Sequence, residues 1–277
     1  MAKARQNATP LVSICYALVV FAALNWAVFG TGAIRGSHLG QIAGGWLEAD
    51  ATVMAVPLVA QLPWFALMAG LGIYAVWQCM PTARHTDLHG KLRPWVLALV
   101  LLNALWLQLL QRDRMGFSLL FALLMLLVLT RIALMIDRTT LRNNMDRWIT
   151  RSSFGLFTGW LVIIVLGEAA AWLAALGVDS NRLMFKGIAA LVLLLVSLAL
   201  CALTFKKPIG LYMNAGALWV VFWITIDRYT WQASSPLFAG VASVATLLLL
   251  LCLASAVRTR LRRLRDPQEP ADGEPAA

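Results

Sequence analysis

The sequence has few charged residues. Only 13% of its 277 residues are charged, whereas 61% are hydrophobic. Soluble globular domains are about 25% charged and about 45–50% apolar. The shortage of charge therefore excludes an ordinary soluble domain, and the hydrophobicity excludes an intrinsically disordered chain. Composition alone indicates an integral membrane protein.

Motifs that carry chemistry are also scarce. The chain contains no GxxxxGK[ST], GxSxG or HExxH motif, and its four cysteines form no CxxC pair. A phosphate-binding loop, a nucleophile elbow and a zinc-protease helix therefore have no support. The three histidines, His38, His85 and His89, fall outside the apolar stretches, which argues against an intramembrane haem or copper site. We predict no metal and no cofactor, and nothing commits the chain to catalysis.

Long apolar stretches are what the sequence does have. A spanning helix needs about 20 apolar residues, and the chain offers eight such stretches: Leu11–Gly30, Ala55–Met80, Pro94–Leu110, Phe117–Ile136, Phe154–Leu176, Gly187–Phe205, Ile209–Ile226 and Leu237–Val257. We therefore expect an all-α polytopic membrane helix bundle of about eight transmembrane helices. Residues 11–257 form its single transmembrane domain. Residues 1–10 precede it, and residues 258–277 form a basic, then acidic, proline-containing disordered tail.

The distribution of basic residues predicts the orientation. Sixteen Lys and Arg residues lie on the side that holds both termini, six lie on the other side, and Arg131 lies within a span. Cytoplasmic loops of membrane proteins are enriched in Lys and Arg, so both termini are expected in the cytoplasm. The net charge of +10 fits this distribution. We expect contact with membrane lipids and no nucleic-acid partner.

Two chargeable residues lie well inside predicted spans. Arg131 is near the cytoplasmic end of the fourth span, where its long side chain can reach the headgroups. Glu168 is about 20 Å from the cytoplasmic boundary at 1.5 Å per residue, too deep for a short carboxylate to reach water. Burial penalises its charged form unless water or a polar ligand reaches it. Glu168 is therefore either a functional acid or a neutral acid hydrogen-bonded to a neighbouring helix.

Tryptophans recur beside amides and this acid. Gln61 precedes Trp64 by three residues, Asn103 precedes Trp106 by three, and Glu168 precedes Trp172 by four. At these spacings each polar group shares a helix face with an indole. Indoles with nearby polar groups suit a flat, mostly apolar ligand. The candidate ligand-binding residues are Trp64, Asn103, Trp106, Trp160, Glu168, Trp172 and Trp219.

The fifth span carries small residues at four-residue spacing, Gly155 and Gly159, followed by Gly167, Ala171 and Ala175. Small residues at this interval let helices approach closely. We therefore expect this helix to be central, with Glu168 turned away from lipid. Such faces also permit a homodimer.

Several segments resemble the tryptophan-rich sensory protein (TspO/MBR) family in its longer bacterial form. They are Phe154-Gly-Leu-Phe-Thr-Gly-Trp160 continuing to Trp172, the second span with Pro57, Trp64, Tyr74, Trp77 and Gln78, Asn103-Ala-Leu-Trp106, Gly216-Ala-Leu-Trp219, and Asn25. The chain departs from the family pattern at Leu58, Val59 and Ala60, which replace aromatic residues, and at Glu168, which stands where an Asn is expected.

The resemblance implies a non-catalytic protein of the bacterial inner membrane with a sensory or regulatory role. Its expected ligand is a hydrophobic, partly anionic small molecule, tetrapyrrole-like or sterol-like, which the protein binds or moves. Two alternatives remain. One is a secondary transporter or permease component with Glu168 as a protonatable group. The other is a lipid- or isoprenoid-modifying enzyme, which the acids beside arginine, Asp137 and Asp146, support poorly because we expect them to be solvated ion pairs.

Overall fold

The computed structural model describes residues 16–20, 22, 42–48, 50–80, 83, 86–139, 144–230 and 235–265. Within them lie a short 3-10 helix, Ile42–Gly45, and eight α-helices. In chain order these are α1 Leu58–Gln61, α2 Pro63–Trp77, α3 Asp87–Gln111, α4 Met115–Asp137, α5 Asn144–Ala175, α6 Leu183–Lys206, α7 Gly210–Thr230 and α8 Pro236–Arg265.

The described part of the chain confirms the predicted all-helical membrane bundle. Seven segments are long and apolar enough to cross a membrane, with α1 and α2 together forming the first of them, Leu58–Trp77. They correspond one to one to the last seven predicted spans. The first predicted span, Leu11–Gly30, falls mostly outside the described residues.

Prolines explain where the first helices break and begin. Pro63 has no N–H to donate, so the helical hydrogen bonding is interrupted between Gln61 and Pro63. Helix α2 begins at Pro63. In α3, Pro94 does not start the helix as predicted. The helix starts seven residues earlier at Asp87, whose carboxylate suits the positive end of a helix dipole. This earlier start brings His89 into a membrane-spanning helix, so its predicted position outside the spans is wrong.

Helix α5 is the centre of the bundle, as its small residues predicted. Two thirds of its apolar window is buried, the largest share of any span, against 28% for α8. It packs against α2, α4 and most extensively α7. A Cβ added to Gly159 would overlap the backbone of Met213, and one added to Gly216 would overlap the carbonyl of Leu156. Only glycine allows the two backbones to come this close.

Helices α6, α7 and α8 pack against one another beside this centre. The last helix continues to Arg265, so the basic segment 258–265 that we assigned to the tail is helical here. Residues 266–277, the acidic part of the predicted tail, lie outside the described residues.

Candidate ligand-binding site

The carboxylate of Glu168 is buried between three helices. Trp106 of α3 donates its indole N–H to Oε2 at 3.0 Å, and Ser118 of α4 donates its hydroxyl to Oε1 at 2.6 Å. Glu168 itself is only 3% exposed. Both oxygens therefore accept a hydrogen bond, as a buried carboxylate requires.

The described residues place no balancing positive charge beside this acid, since none of their Lys, Arg or His side chains lies within ion-pair distance of Glu168. Arg131, the other chargeable residue predicted inside a span, is exposed and places its guanidinium 5.9 Å from the ring centre of Trp95. The contact is a cation–π interaction at the surface of the bundle, so Arg131 has a structural partner and does not neutralise Glu168.

A small cavity of about 40 Å³ opens beside the Glu168 carboxyl group. Its walls come from the turn after the 3-10 helix, the segment before α1, and helices α3 and α5. The residues lining it are Trp46, Leu47, Ala55, Val56, Gln61, Trp106, Leu110, Trp160, Ile164, Gly167, Glu168 and Ala171. Three tryptophans, one glutamate and one glutamine thus line a space whose other lining residues are apolar.

Two indoles, one lining this space and one in the adjoining core, are also fixed by hydrogen bonds. Trp160 donates to the carbonyl of Ala60 at 3.0 Å, an acceptor in the turn that precedes the break at Pro63. Trp64 donates to Oδ1 of Asn103 at 3.3 Å, and both side chains are buried. The polar groups predicted from sequence are therefore paired, but across helices. The sequence spacing identified the indoles and the acceptors without showing which indole meets which acceptor.

The other two predicted residues lie apart from Glu168. Trp172 is half-buried and packs over Gly116, where an added Cβ would lie 2.9 Å from the indole nitrogen. Trp219 is 40% exposed and packs edge-to-face on Trp223. Neither residue lines the cavity. Of the seven predicted residues, the structure brings Trp106, Trp160 and Glu168 to one space, with the Trp64–Asn103 pair in the adjoining core.

Comparison with known proteins identifies the family of this chain. A family model described as TSPO-like protein matches residues 11–255, which is most of the chain. The chain belongs to the TSPO-like protein family. No curated protein and no solved structure matches it. The family assignment confirms the resemblance inferred from the tryptophan motifs, and it makes the chain a multi-pass membrane protein of the TspO/MBR type.

This TSPO-like protein has a second buried polar cluster, which sequence reasoning missed. Oδ1 of Asp146, at the start of α5, lies 2.9 Å from Nε2 of His89 and accepts from the Trp77 indole at 3.2 Å and the Thr150 hydroxyl at 3.1 Å. Nδ1 of His89 lies 3.1 Å from the Tyr74 hydroxyl. A neutral imidazole satisfies this arrangement if Nε2–H donates to Asp146 and Nδ1 accepts from Tyr74.

Two expectations about acids beside arginine are therefore corrected. Asp146 is buried and lies within ion-pair distance of His89, so it is not the solvated acid that we expected. Asp137 forms an ion pair with Lys207 from the connection between α6 and α7. The spacing of Asp146 and Thr150, four residues apart on one helix face, was the available signal for the buried site.

A larger cavity of about 570 Å³ lies on the other face of α5, where α5 and α6 diverge. Apolar side chains such as Leu173 and Phe185 form its walls, and Asp179 and Arg182 stand at its edge as an exposed ion pair. None of the seven predicted residues lines this cavity. The two cavities share helix α5 but no lining residue.

Proposed function

We propose that this TSPO-like protein binds a hydrophobic small molecule at the cavity beside Glu168 and serves a sensory or regulatory role in a bacterial inner membrane. Indoles supply apolar contact for the body of the ligand, and Glu168 forms a hydrogen bond with its polar group. The observation that carries this proposal is that Glu168, already held by Trp106 and Ser118, is the one ionisable residue among the described residues lining this mostly apolar cavity.

The lining narrows the class of ligand. The resemblance led us to expect a partly anionic molecule, but the described residues that line this cavity include neither Lys nor Arg. A ligand carboxylate would meet Glu168 as a like charge in a medium of low dielectric constant, which costs free energy. A sterol-like ligand, which presents one hydroxyl donor, suits the cavity better than a tetrapyrrole with anionic side chains.

The turn that carries Trp46 and Leu47 forms one wall of the cavity. Its volume of about 40 Å³ accommodates a polar head group, whereas small-molecule pockets usually hold about 300–1,000 Å³. Trp46 is 40% exposed and follows a short 3-10 helix whose Gly44 N–H donates to the exposed carboxylate of Asp113 at 3.2 Å. The proposal requires this turn to move aside when a larger ligand enters, since helices α3 and α5 form the fixed walls.

The test is a titration of the purified protein in lipid nanodiscs with a radiolabelled sterol and, separately, with protoporphyrin followed by its own absorbance. Both signals come from the ligand, so tryptophan can be substituted without loss of signal. We expect saturable sterol binding that weakens at least about tenfold in Trp106→Phe, which removes the indole donor to Glu168. Trp148→Phe is the matched control, because Trp148 is 62% exposed on the same bundle and lines neither cavity.

Two outcomes would contradict the proposed site. Sterol binding that is equally strong in the parent and in Trp106→Phe would show that the ligand lies elsewhere. Binding that is lost in Ala170→Phe but kept in Trp106→Phe would move it to the larger cavity, which Ala170 lines. A partly anionic ligand would then have Arg182 as its counter-charge. Uptake into proteoliposomes, with and without a pH gradient, separates binding from proton-coupled movement of the ligand.

A further inference from the structure

The small cavity has a buried acid, Glu168, in its otherwise largely apolar lining. Glu168 accepts hydrogen bonds from two neutral donors, Trp106 and Ser118, and has no cation beside it among the described residues. A carboxylate held in this way is solvated by the protein but its charge is not neutralised. Glu168 lines the small cavity together with Trp46, Trp106 and Trp160.

Indoles and a carboxylate are the combination that recognises organic cations. The electron-rich faces of aromatic rings attract ammonium groups, most strongly for tryptophan and most strongly where water is excluded. A buried carboxylate adds direct charge complementarity, because a cation offsets more of its desolvation than two neutral donors do. Neutral and anionic ligands obtain neither of these gains.

From this juxtaposition we propose that the cavity binds the positively charged amine or quaternary ammonium head of a hydrophobic organic cation. The proposal rests on the hydrophobic ligand site of the proposed function, and it puts a cationic head group there in place of the neutral hydroxyl of a sterol-like ligand. The volume of about 40 Å³ limits what enters to a small head group, with the hydrophobic remainder directed past Trp46 and Leu47. Gln61 also lines the cavity, and its amide donates to the Val56 carbonyl at 3.0 Å.

The experiment compares three probes of one shape by calorimetry in nanodiscs: benzyltrimethylammonium, its uncharged carbon isostere neopentylbenzene, and phenylmethanesulfonate as the anion. Protein-free nanodiscs give the partition blank. We expect the parent to bind the cation at least about tenfold more tightly than the isostere, and the anion more weakly still. In Glu168→Gln the preference for the cation should shrink at least about threefold without vanishing, because the charge is lost while the indoles remain.

Two further variants separate charge at the cavity from charge in general. Glu48→Gln removes an exposed carboxylate of the neighbouring turn, outside the cavity, and should leave the preference for the cation intact. Glu168→Asp keeps the charge and should keep the preference as well. Unfolding of each variant in mixed micelles confirms that the fold is retained. If Glu168→Gln does not fold, the three probes on the parent decide the question alone.

The cation assignment is overturned if the parent binds the cation and the isostere equally, or if Glu168→Gln keeps the full preference of the parent. Equal binding leaves the hydrophobic site in place, because the sterol titration tests that site independently. Absence of sterol binding together with a preference for the cation that depends on Glu168 would overturn the sterol-like class while supporting the cation. The two failures are therefore distinguishable.

Discussion

Helix α5 carries two buried carboxyl groups, one at each end, and they differ in what lies around them. Glu168 and Asp146 are separated by 22 residues, or about 33 Å along the helix axis. Each accepts a hydrogen bond from a tryptophan indole and from a hydroxyl group. Asp146 also contacts an imidazole and lines neither cavity, whereas Glu168 lacks a cationic neighbour among the described residues and borders open space.

The difference indicates two uses of the same chemistry. At Asp146 one oxygen gathers three donors from α2, α3 and α5, so the acid holds these helices together. At Glu168 each oxygen takes one donor, and the group also faces a cavity. A buried acid that is surrounded by protein contributes mainly to stability, and one that borders a cavity is available to a ligand.

The largest loss of stability is expected for Asp146→Ala. The substitution leaves the Trp77 indole and the Thr150 hydroxyl without their acceptor. It also removes one of the two hydrogen-bond partners of the fully buried His89. We expect the free energy of unfolding to fall by about 3 kcal/mol or more. Reversible unfolding of the purified protein by SDS in mixed micelles measures it.

The matched variant is Asp146→Asn. Because all three donors converge on Oδ1, an asparagine that presents its amide oxygen in the same place keeps them. Its loss of stability should be clearly smaller than that of Asp146→Ala. If both variants are as stable as the parent, the cluster does not hold the helices together and the comparison fails.

A smaller effect is expected for His89→Gln. Glutamine can donate to Asp146 but is a poor fit for the Tyr74 hydroxyl at the same time, so one of the two contacts of His89 is lost. We expect a loss of about 1–2 kcal/mol in the free energy of unfolding. The double variant with Asp146→Ala should lose less than the sum of the two single losses, because the residues share a contact. Strict additivity would show that His89 and Asp146 act separately.

The amino-acid sequence predicted the fold class well. Apolar stretches of about 20 residues are easy to recognise in a sequence. The glycines of α5 occur at the four-residue interval that is typical of closely packed helices. Gly155 and Gly159 therefore identified the central helix correctly. The start of α3 was missed because Pro94 suggests a helix start, whereas the helix begins at Asp87 with its carboxylate in the first turn.

The site was predicted only in part, for a physical reason. Residues on one helix face are visible in the spacing of a sequence, but hydrogen bonds between helices depend on depth and rotation. Trp106 was recognised beside Asn103, yet its indole meets Glu168, and Asn103 instead accepts from Trp64. His89 and Asp146 were assigned to loops because charge near a span end resembles a solvated boundary. Ser118 gave no signal, since a single serine in an apolar helix is ordinary.

The smallest effect on stability is expected for Glu168→Gln. Glutamine offers an oxygen to the Trp106 indole and an amide to Ser118, whose hydroxyl can turn from donor to acceptor. Both contacts survive, so the free energy of unfolding should change by less than about 1 kcal/mol, the usual size of a hydrogen bond between membrane helices. The same SDS titration measures it, with Asp146→Ala as the reference for a structural loss. If Glu168→Gln proves as unstable as Asp146→Ala, Glu168 is a structural acid like Asp146, and the cavity beside it loses the charge on which the proposed cation recognition depends.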